Sequence, residues 1–148
     1  MPEKKYLLVD GHSVIYGWPE LRALHLRQPN KCREVLIRLL TDLHDSSDWL
    51  VTLVFDGKTG PTEPAQPGKL AVIYSKEGQT ADSIIERLVG LAPDPARVFV
   101  VTADGAERVT VEALGAIAIS PDRLTEELDL AGRDLQSALQ TVHRRAKW

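Results

Sequence analysis

The amino-acid sequence predicts a three-layer α/β/α domain, Rossmann-like in its mainly parallel sheet of about five strands. Short apolar runs rich in β-branched residues alternate with stretches whose apolar residues recur at helical spacing, which is typical of strands joined by crossover helices. Three of the strand-like runs are followed directly or closely by a carboxylate: Asp10, Asp56 and Asp104. The 148 residues, 43% of them hydrophobic, suffice for one buried core, so we expect a single domain over residues 1–148.

Five segments have the length and composition of strands. Each is short and apolar, and each has charged or turn-forming residues close to its ends. The predicted strands cover residues 5–10, 49–56, 70–75, 97–102 and 116–119.

Helices are predicted between and after these strands. Asn30 is a good N-cap for a helix whose apolar residues form one stripe. Thr80 has the same role for the next helix, and a further helix is expected from about Ala106 to Gly115. Ser120 followed by proline starts the last helix, which we expect to continue from about residue 121 into a basic tail.

Two connections are expected to lack regular structure. After the first strand, Gly11 suggests a tight turn, followed by a short apolar segment that Pro19 stops. Residues 57–69 contain three glycines and three prolines, so we expect a long surface loop directly after Asp56, a common place for substrate contacts.

Carboxylates at the ends of neighbouring parallel strands should meet at one edge of the sheet, where open α/β folds bind ligands. This places Asp10, Asp56 and Asp104 together, and Asp82, in the first turn of the helix after Thr80, is expected to join them. Each Asp-Gly pair alone is also a common turn signal, and Asp82 alone suits a helix N-terminus. Clustered anions repel one another, so the group as a whole indicates a bound cation.

Oxygen ligands of this kind favour Mg²⁺ or Mn²⁺. A zinc site is disfavoured because no histidines or cysteines have suitable spacing and Cys32 is the only cysteine. The sequence also lacks a Walker A motif, a dinucleotide-binding glycine motif and a nucleophile elbow. We therefore expect no small-molecule cofactor.

The composition restricts location and partners. No apolar run is long enough to span a bilayer, and residues 1–5 do not resemble a signal peptide. We therefore expect a cytoplasmic protein that does not associate with a membrane. The net charge of −3 argues against a non-specific nucleic-acid coat protein.

Four motifs together resemble the YacP-like NYN domain family of the PIN-like ribonuclease superfamily. They are LLVDGHSVI at 7–15, VFDG at 54–57, EGQTAD at 77–82 and VVTAD at 100–104, and the resemblance covers about residues 5–140. It implies a bacterial Mg²⁺- or Mn²⁺-dependent ribonuclease, of endonuclease type, linked to mRNA turnover and translation. RNA, in particular mRNA, and the ribosome are the partners that it implies.

The resemblance also assigns roles to residues. Asp10, Asp82 and Asp104 match the metal-binding acids, and Asp56 matches a further catalytic acid. Ser13 stands where the NYN pattern usually has Asn, and resembles the Asp-Gly-x-Ser start of flap-type nucleases. Both side chains can hydrogen-bond water or phosphate. Around the metal, Ser13 and two further hydroxyl groups are expected to support the acids: those of Thr80 and Thr102.

RNA phosphates are expected to bind basic residues outside the acidic group. The candidates are Lys58, Arg22, Arg144 and Arg145. Tyr16 and Trp18 are candidates for stacking on bases, although burial beside the first strand is an alternative for each.

Two other functions are compatible with the same residues. The chain could be a non-catalytic module that binds RNA or the ribosome through its basic surfaces. It could also be a phosphatase with a similar acidic edge, but the Asp-x-Asp start of haloacid-type phosphatases is absent at Asp10-Gly11-His12.

Overall fold

The computed structural model describes residues 4–57 and 69–132. Over these ranges the chain forms five strands, six α-helices and a 3₁₀ turn at Pro95–Arg97. The strands are β1 (Lys5–Asp10), β2 (Trp49–Phe55), β3 (Ala71–Tyr74), β4 (Val98–Val101) and β5 (Ile117–Ile119). The helices are α1 (Gly11–Gly17), α2 (Pro19–Arg27), α3 (Pro29–Ser46), α4 (Ala81–Leu91), α5 (Gly105–Ala113) and α6 (Pro121–Leu130).

The five strands form one all-parallel sheet in the order β3-β2-β1-β4-β5. The chain therefore builds the sheet outward from β1 in one direction and then returns to the other side of β1 with β4 and β5. This reversal lies between β1 and β4, and open α/β sheets bind ligands beside the carboxyl ends of the strands at such a point.

Helices cover both faces of the sheet, which confirms the predicted three-layer architecture. On one face, Leu7, Val9 and Leu53 belong to a core that includes side chains of α1, α2, α3 and α6. On the other face, Leu8 and Val54 pack with side chains of α4 and α5. Alternate residues of the central strands are thus buried on opposite faces, as the period of two in a strand requires.

The predicted strands agree with the structure to within one residue at either end. The N-caps at Thr80 and Ser120 are also confirmed, because their side chains accept hydrogen bonds from the backbone amides of Ser83 and Arg123. Residues 58–68 of the predicted loop at 57–69 lie outside the described residues, and so does the predicted continuation of α6 beyond residue 132. No helix of the described part of the chain is long and apolar enough to cross a membrane.

Three predictions between β1 and α3 are wrong. Gly11 forms no turn, because α1 begins at that residue directly after the strand. Pro19 does stop the segment before it, since α1 ends at Gly17, but the connection is not irregular, because Pro19 is also the first residue of α2, a position where proline loses no helical hydrogen bond. The next helix starts at Pro29 with Gln28 as its N-cap, so Asn30 lies inside α3.

Gly11 is required by packing rather than by backbone conformation. Its φ is not positive, but a Cβ atom at this position would lie 2.5 Å from two ring carbons of Phe55 and 3.2 Å from the carbonyl oxygen of Val54. The ring of Phe55 is itself buried and stacks on Tyr74 at 5.5 Å between centroids. The residue after Asp10 must therefore be glycine for β1 and β2 to end side by side.

We predict that Gly11→Ala lowers the free energy of unfolding by about 1–3 kcal/mol, because the added methyl group overpacks a rigid aromatic ring. Urea unfolding followed by circular dichroism measures the change. Gly105→Ala is the matched control: it also alters the first residue of a helix after a strand-end aspartate, but its Cβ would meet nothing within 4 Å. That variant should be unchanged or more stable. Equal destabilisation by both substitutions would contradict the packing explanation.

Candidate metal centre

The candidate site lies at the carboxyl ends of the strands, beside the point where the strand order reverses. Asp10 is the last residue of β1, and Asp104 is the N-cap of α5, which follows β4. Asp82 lies in the first turn of α4. These residues line one cleft of about 510 Å³, together with Asp56, which follows β2. The strand-end geometry therefore brings the four predicted acids to one cleft.

Three carboxylates form the centre of this cleft. Asp10, Asp82 and Glu107 each offer one oxygen atom, and these atoms lie within 4.8 Å of one another. Asp10 and Glu107 are buried, with 6% and 1% of their surface exposed, whereas Asp82 is half-buried. Glu107, on α5, was not among the predicted site residues.

Glu107 is the most enclosed of the three acids. Its Oε2 accepts a hydrogen bond of 2.7 Å from the hydroxyl of Thr102. Its Oε1 is buried and accepts no hydrogen bond from an N–H or hydroxyl donor of the described residues. A buried carboxylate oxygen without a donor is costly unless a proton or a cation lies against it.

Two hydroxyl groups connect the β1–α1 side of the cleft to the β4–α5 side. Ser13 donates to Oδ2 of Asp10 at 3.1 Å and accepts from the amide of Ala103 at 3.0 Å. Thr102 donates to Glu107 and accepts from the amide of Asp104 at 3.0 Å. The two hydroxyl oxygens lie 3.5 Å apart. This network fixes the orientation of Asp10 and Glu107.

The other two acids lie around the three central carboxylates. Oδ1 of Asp104 accepts the amides of Ala106 and Glu107 at 2.8 and 3.3 Å, so one oxygen caps α5. Oδ1 of Asp56 accepts the hydroxyl of Ser75 at 2.7 Å. Both residues are exposed in the cleft. The group of three nearby oxygens thus contains Glu107 and not Asp104, and direct metal ligation by Asp104 stays a prediction.

The remaining predicted residues have other positions. The side chain of Thr80 accepts a hydrogen bond of 3.1 Å from the amide of Ser83. Thr80 is thus the N-cap of α4, the helix that carries Asp82. Arg22 is exposed on α2. Three predicted RNA-binding residues lie outside the described residues: Lys58, Arg144 and Arg145.

The crowding of acids changes their proton affinity. Burial raises the pKa of Glu107 to about 9, and the neighbouring charges of Asp10 and Asp82 act in the same direction. The hydrogen bond from Thr102 opposes this shift. Without a cation, Glu107 therefore holds a proton at neutral pH.

The pKa of Asp82 is also raised, first by burial. A hydrogen bond with Glu107 opposes the shift, while repulsion from Asp10, Asp104 and Asp56 adds to it. The proton on Glu107 thus stabilises the negative charge of Asp82 through their hydrogen bond.

The residues present fit a hard divalent cation. The group offers only carboxylate oxygens, which Mg²⁺ and Mn²⁺ bind in preference to nitrogen or sulfur ligands. Oε1 of Glu107, which accepts no N–H or hydroxyl donor of the described residues, is a buried acceptor that a cation would satisfy. A positive ion would also relieve the repulsion that raises the two pKa values.

Comparison with known proteins gives the family. The family model described as "YacP-like NYN domain" matches residues 7–148. The chain belongs to this family. Its fold is therefore of the nuclease type found in PIN-like proteins.

A curated relative and two crystal structures agree with this assignment. The protein YacP of Bacillus subtilis (strain 168) is 29% identical over 139 residues, which cover 92% of this chain and 82% of the relative. The crystal structure of Rae1 (YacP) from Bacillus subtilis matches with a TM-score of 0.74 and 27% identity, over 96% of this chain and 83% of that one. A mutant form of Rae1 matches with a TM-score of 0.69 and 29% identity, over 96% and 78%.

We predict that the metal-free protein loses stability as the pH rises from about 4.5 to about 9. In this window the folded protein retains the proton of Glu107, whereas the unfolded chain releases it. The stabilising contribution of this proton is therefore complete below pH 4.5 and is lost as the pH rises to about 9. The free energy of unfolding falls by at most about 1.4 kcal/mol per pH unit. Urea unfolding in EDTA across this range measures it.

Glu107→Gln should flatten this pH dependence, because the amide does not titrate. Glu112→Gln is the control, since Glu112 lies on the same helix but is exposed and paired with Arg108. An unchanged profile for Glu107→Gln would show that the buried carboxyl does not hold the proton.

Proposed function

We propose that this protein is a metal-dependent endoribonuclease that hydrolyses RNA phosphodiester bonds, in mRNA turnover linked to translation in the cytoplasm. One observation carries the proposal: in a domain of a nuclease family, three carboxylates converge at the ligand-binding edge of the sheet. Neither of their two buried members has a basic residue as a partner among the described hydrogen bonds and ion pairs, so structural pairing does not account for the cluster.

Asp10, Asp82 and Glu107 would hold Mg²⁺ or Mn²⁺, and Asp104 and Asp56 would complete its surroundings through water or a second ion. When bound, such a cation polarises the phosphoryl group and lowers the pKa of the attacking water. This differs from the ligand set Asp10, Asp82 and Asp104 expected from the sequence, because Glu107 lies closer to the centre of the group.

The protein's own groups would orient the reaction. Ser13 and Thr102 hold Asp10 and Glu107 in fixed rotamers, so the carboxylates do not need to rearrange when the substrate arrives. Oδ1 of Asp104 is engaged in capping α5, which leaves Oδ2 to accept a hydrogen bond from the attacking water. Positioning of this kind provides a large part of the catalysis of phosphodiester cleavage.

Basic residues around the cleft would bind the flanking phosphates. Lys76 is exposed after β3, at the same edge of the sheet as the acids. Lys69 precedes β3 and lies at the opposite edge. Lys76 is therefore the candidate that lies on the side of the acids, and Arg22, Lys58 and the C-terminal arginines stay candidates predicted from the sequence. Such contacts position RNA without reading its sequence.

We predict that Asp10→Asn and Glu107→Gln each reduce Mn²⁺-dependent cleavage of a structured mRNA by at least about 100-fold, because each removes a negative ligand from the centre of the site. Both variants should remain folded, because Asp10→Asn removes a negative charge from the cluster and Gln at position 107 replaces a carboxyl group that is already neutral without a cation. Gel electrophoresis of the products measures cleavage. Glu112→Gln, on the exposed side of α5, should keep the wild-type rate.

The same assay separates the alternatives. Cleavage that persists in excess EDTA, or that Asp10→Asn leaves intact, would falsify the metal-dependent mechanism. If the wild-type protein and the variants all bind RNA and none cleaves it, the result would instead support the non-catalytic binding module.

We further predict that Mn²⁺ raises the melting temperature of the wild-type protein by several degrees. A ligand present at about 100 times its dissociation constant adds about 2.7 kcal/mol to stability, and a domain of this size responds by about 2–4 °C for each kcal/mol. Glu107→Gln should lose most of this shift and Glu112→Gln should keep it. An equal shift in all three proteins would place the ion elsewhere.

A further inference from the structure

An aromatic cluster lies at the mouth of the acidic cleft. His12 and Tyr16 are four residues apart on α1, so their side chains share one face of the helix. Their rings stack at 6.1 Å between centroids, with an interplanar angle of 23°. The ring of His25, on α2, meets Tyr16 edge to face at 5.7 Å. These distances are within the range of favourable aromatic pairs.

Two of the three rings belong to the same cleft as the acids. His12 and Tyr16 line it together with Asp10, Asp82 and Asp104. Only Gly11 lies between Asp10, the last residue of β1, and His12 on α1. A nucleotide whose phosphate lies at the carboxylates therefore has a neighbouring base within reach of the aromatic rings.

Tyr16 is free to contact a ligand, whereas Trp18 is not. Tyr16 is 52% exposed, although its ring has aromatic neighbours. Trp18 is 6% exposed, and its indole N–H donates to the carbonyl oxygen of Pro121 at 3.1 Å. Of the two aromatic residues that the sequence offered for base contacts, the structure leaves only Tyr16 accessible.

The helix that carries His12 and Tyr16 is packed tightly against α6. The Trp18 hydrogen bond joins the end of α1 to α6, and a Cβ atom at Gly17 would lie 3.0 Å from Cβ of Pro121. The Nδ1 atoms of His12 and His25 are buried without hydrogen-bond partners among the described residues. The contacts of the Tyr16 ring with both histidines restrict its orientation before binding, so less side-chain entropy is lost when a base stacks on it.

We propose that Tyr16, supported by His12 and His25, stacks on one unpaired base of the RNA next to the phosphate at the acidic cluster. The proposal rests on the proposed function for its substrate class, but it makes a separate claim about substrate structure. Stacking needs a base that is out of a helix, because paired bases expose no ring face. It accepts any base, because every base has such a face. The site would thus select single-stranded RNA without strict sequence preference.

The test is a scan of abasic positions in a single-stranded RNA of about twelve nucleotides. Binding is measured by fluorescence anisotropy in Mn²⁺, in the Asp10→Asn background so that the RNA stays intact. One abasic position is expected to weaken binding by about 5- to 100-fold. In Tyr16→Ala the intact RNA should bind about as weakly as that abasic RNA, and the abasic change should have no further effect. Tyr16→Phe should keep the abasic penalty, because the ring remains.

Tyr6→Ala is the matched control. Tyr6 is also exposed, at 44%, but it lies near the amino end of β1, at the opposite edge of the sheet. Its removal should leave the abasic penalty unchanged.

The outcomes separate this inference from the proposed function. If the wild-type protein cleaves RNA and the abasic penalty is the same with and without Tyr16, stacking by this residue is excluded and the nuclease remains. If neither the wild-type protein nor the Asp10→Asn variant binds RNA in Mn²⁺, both proposals are overturned.

Discussion

Repulsion between carboxylates, two of which are buried, is the constraint on which the rest of the site depends. Asp10 and Glu107 are both buried, and each would be costly as an isolated charge. The hydroxyl groups of Ser13 and Thr102 stabilise one oxygen of each and hold the pair close together. The parallel sheet makes this crowding possible, because it brings the ends of β1 and β4 side by side and places the first turns of α4 and α5 above them.

Most of the fold could be predicted from the sequence because its signals are local. A buried parallel strand is a short apolar run, and its limits are visible in composition alone. The N-cap at Thr80 was visible for the same reason, since the side chain and the amide that it binds lie three residues apart. The helix α2 was missed because a proline can both end one helix and begin another, and only the first of these roles was assigned to Pro19.

The site was only partly predictable, because part of it depends on packing. Strand-end acids could be found by position, since Asp10 and Asp104 follow apolar runs. Glu107 lies three residues after the N-cap of α5, and acidic residues in a first helical turn are common without any function. Which way Glu107 faces is set by the packing of α5 on the sheet, where Val111, one turn further on, is buried. The sequence does show Glu107 three residues after Asp104, but this spacing indicates a site residue only when it is known which face of α5 packs on the sheet.

The contact between Gly11 and Phe55 has a consequence for sequence variation in this fold. The space that a side chain at position 11 would need is already filled by the aromatic ring, 2.5 Å away. A larger residue can enter there only together with a smaller one at position 55. The two positions are therefore expected to vary as a pair among relatives, although one adjoins the acidic cleft and the other belongs to the apolar interior.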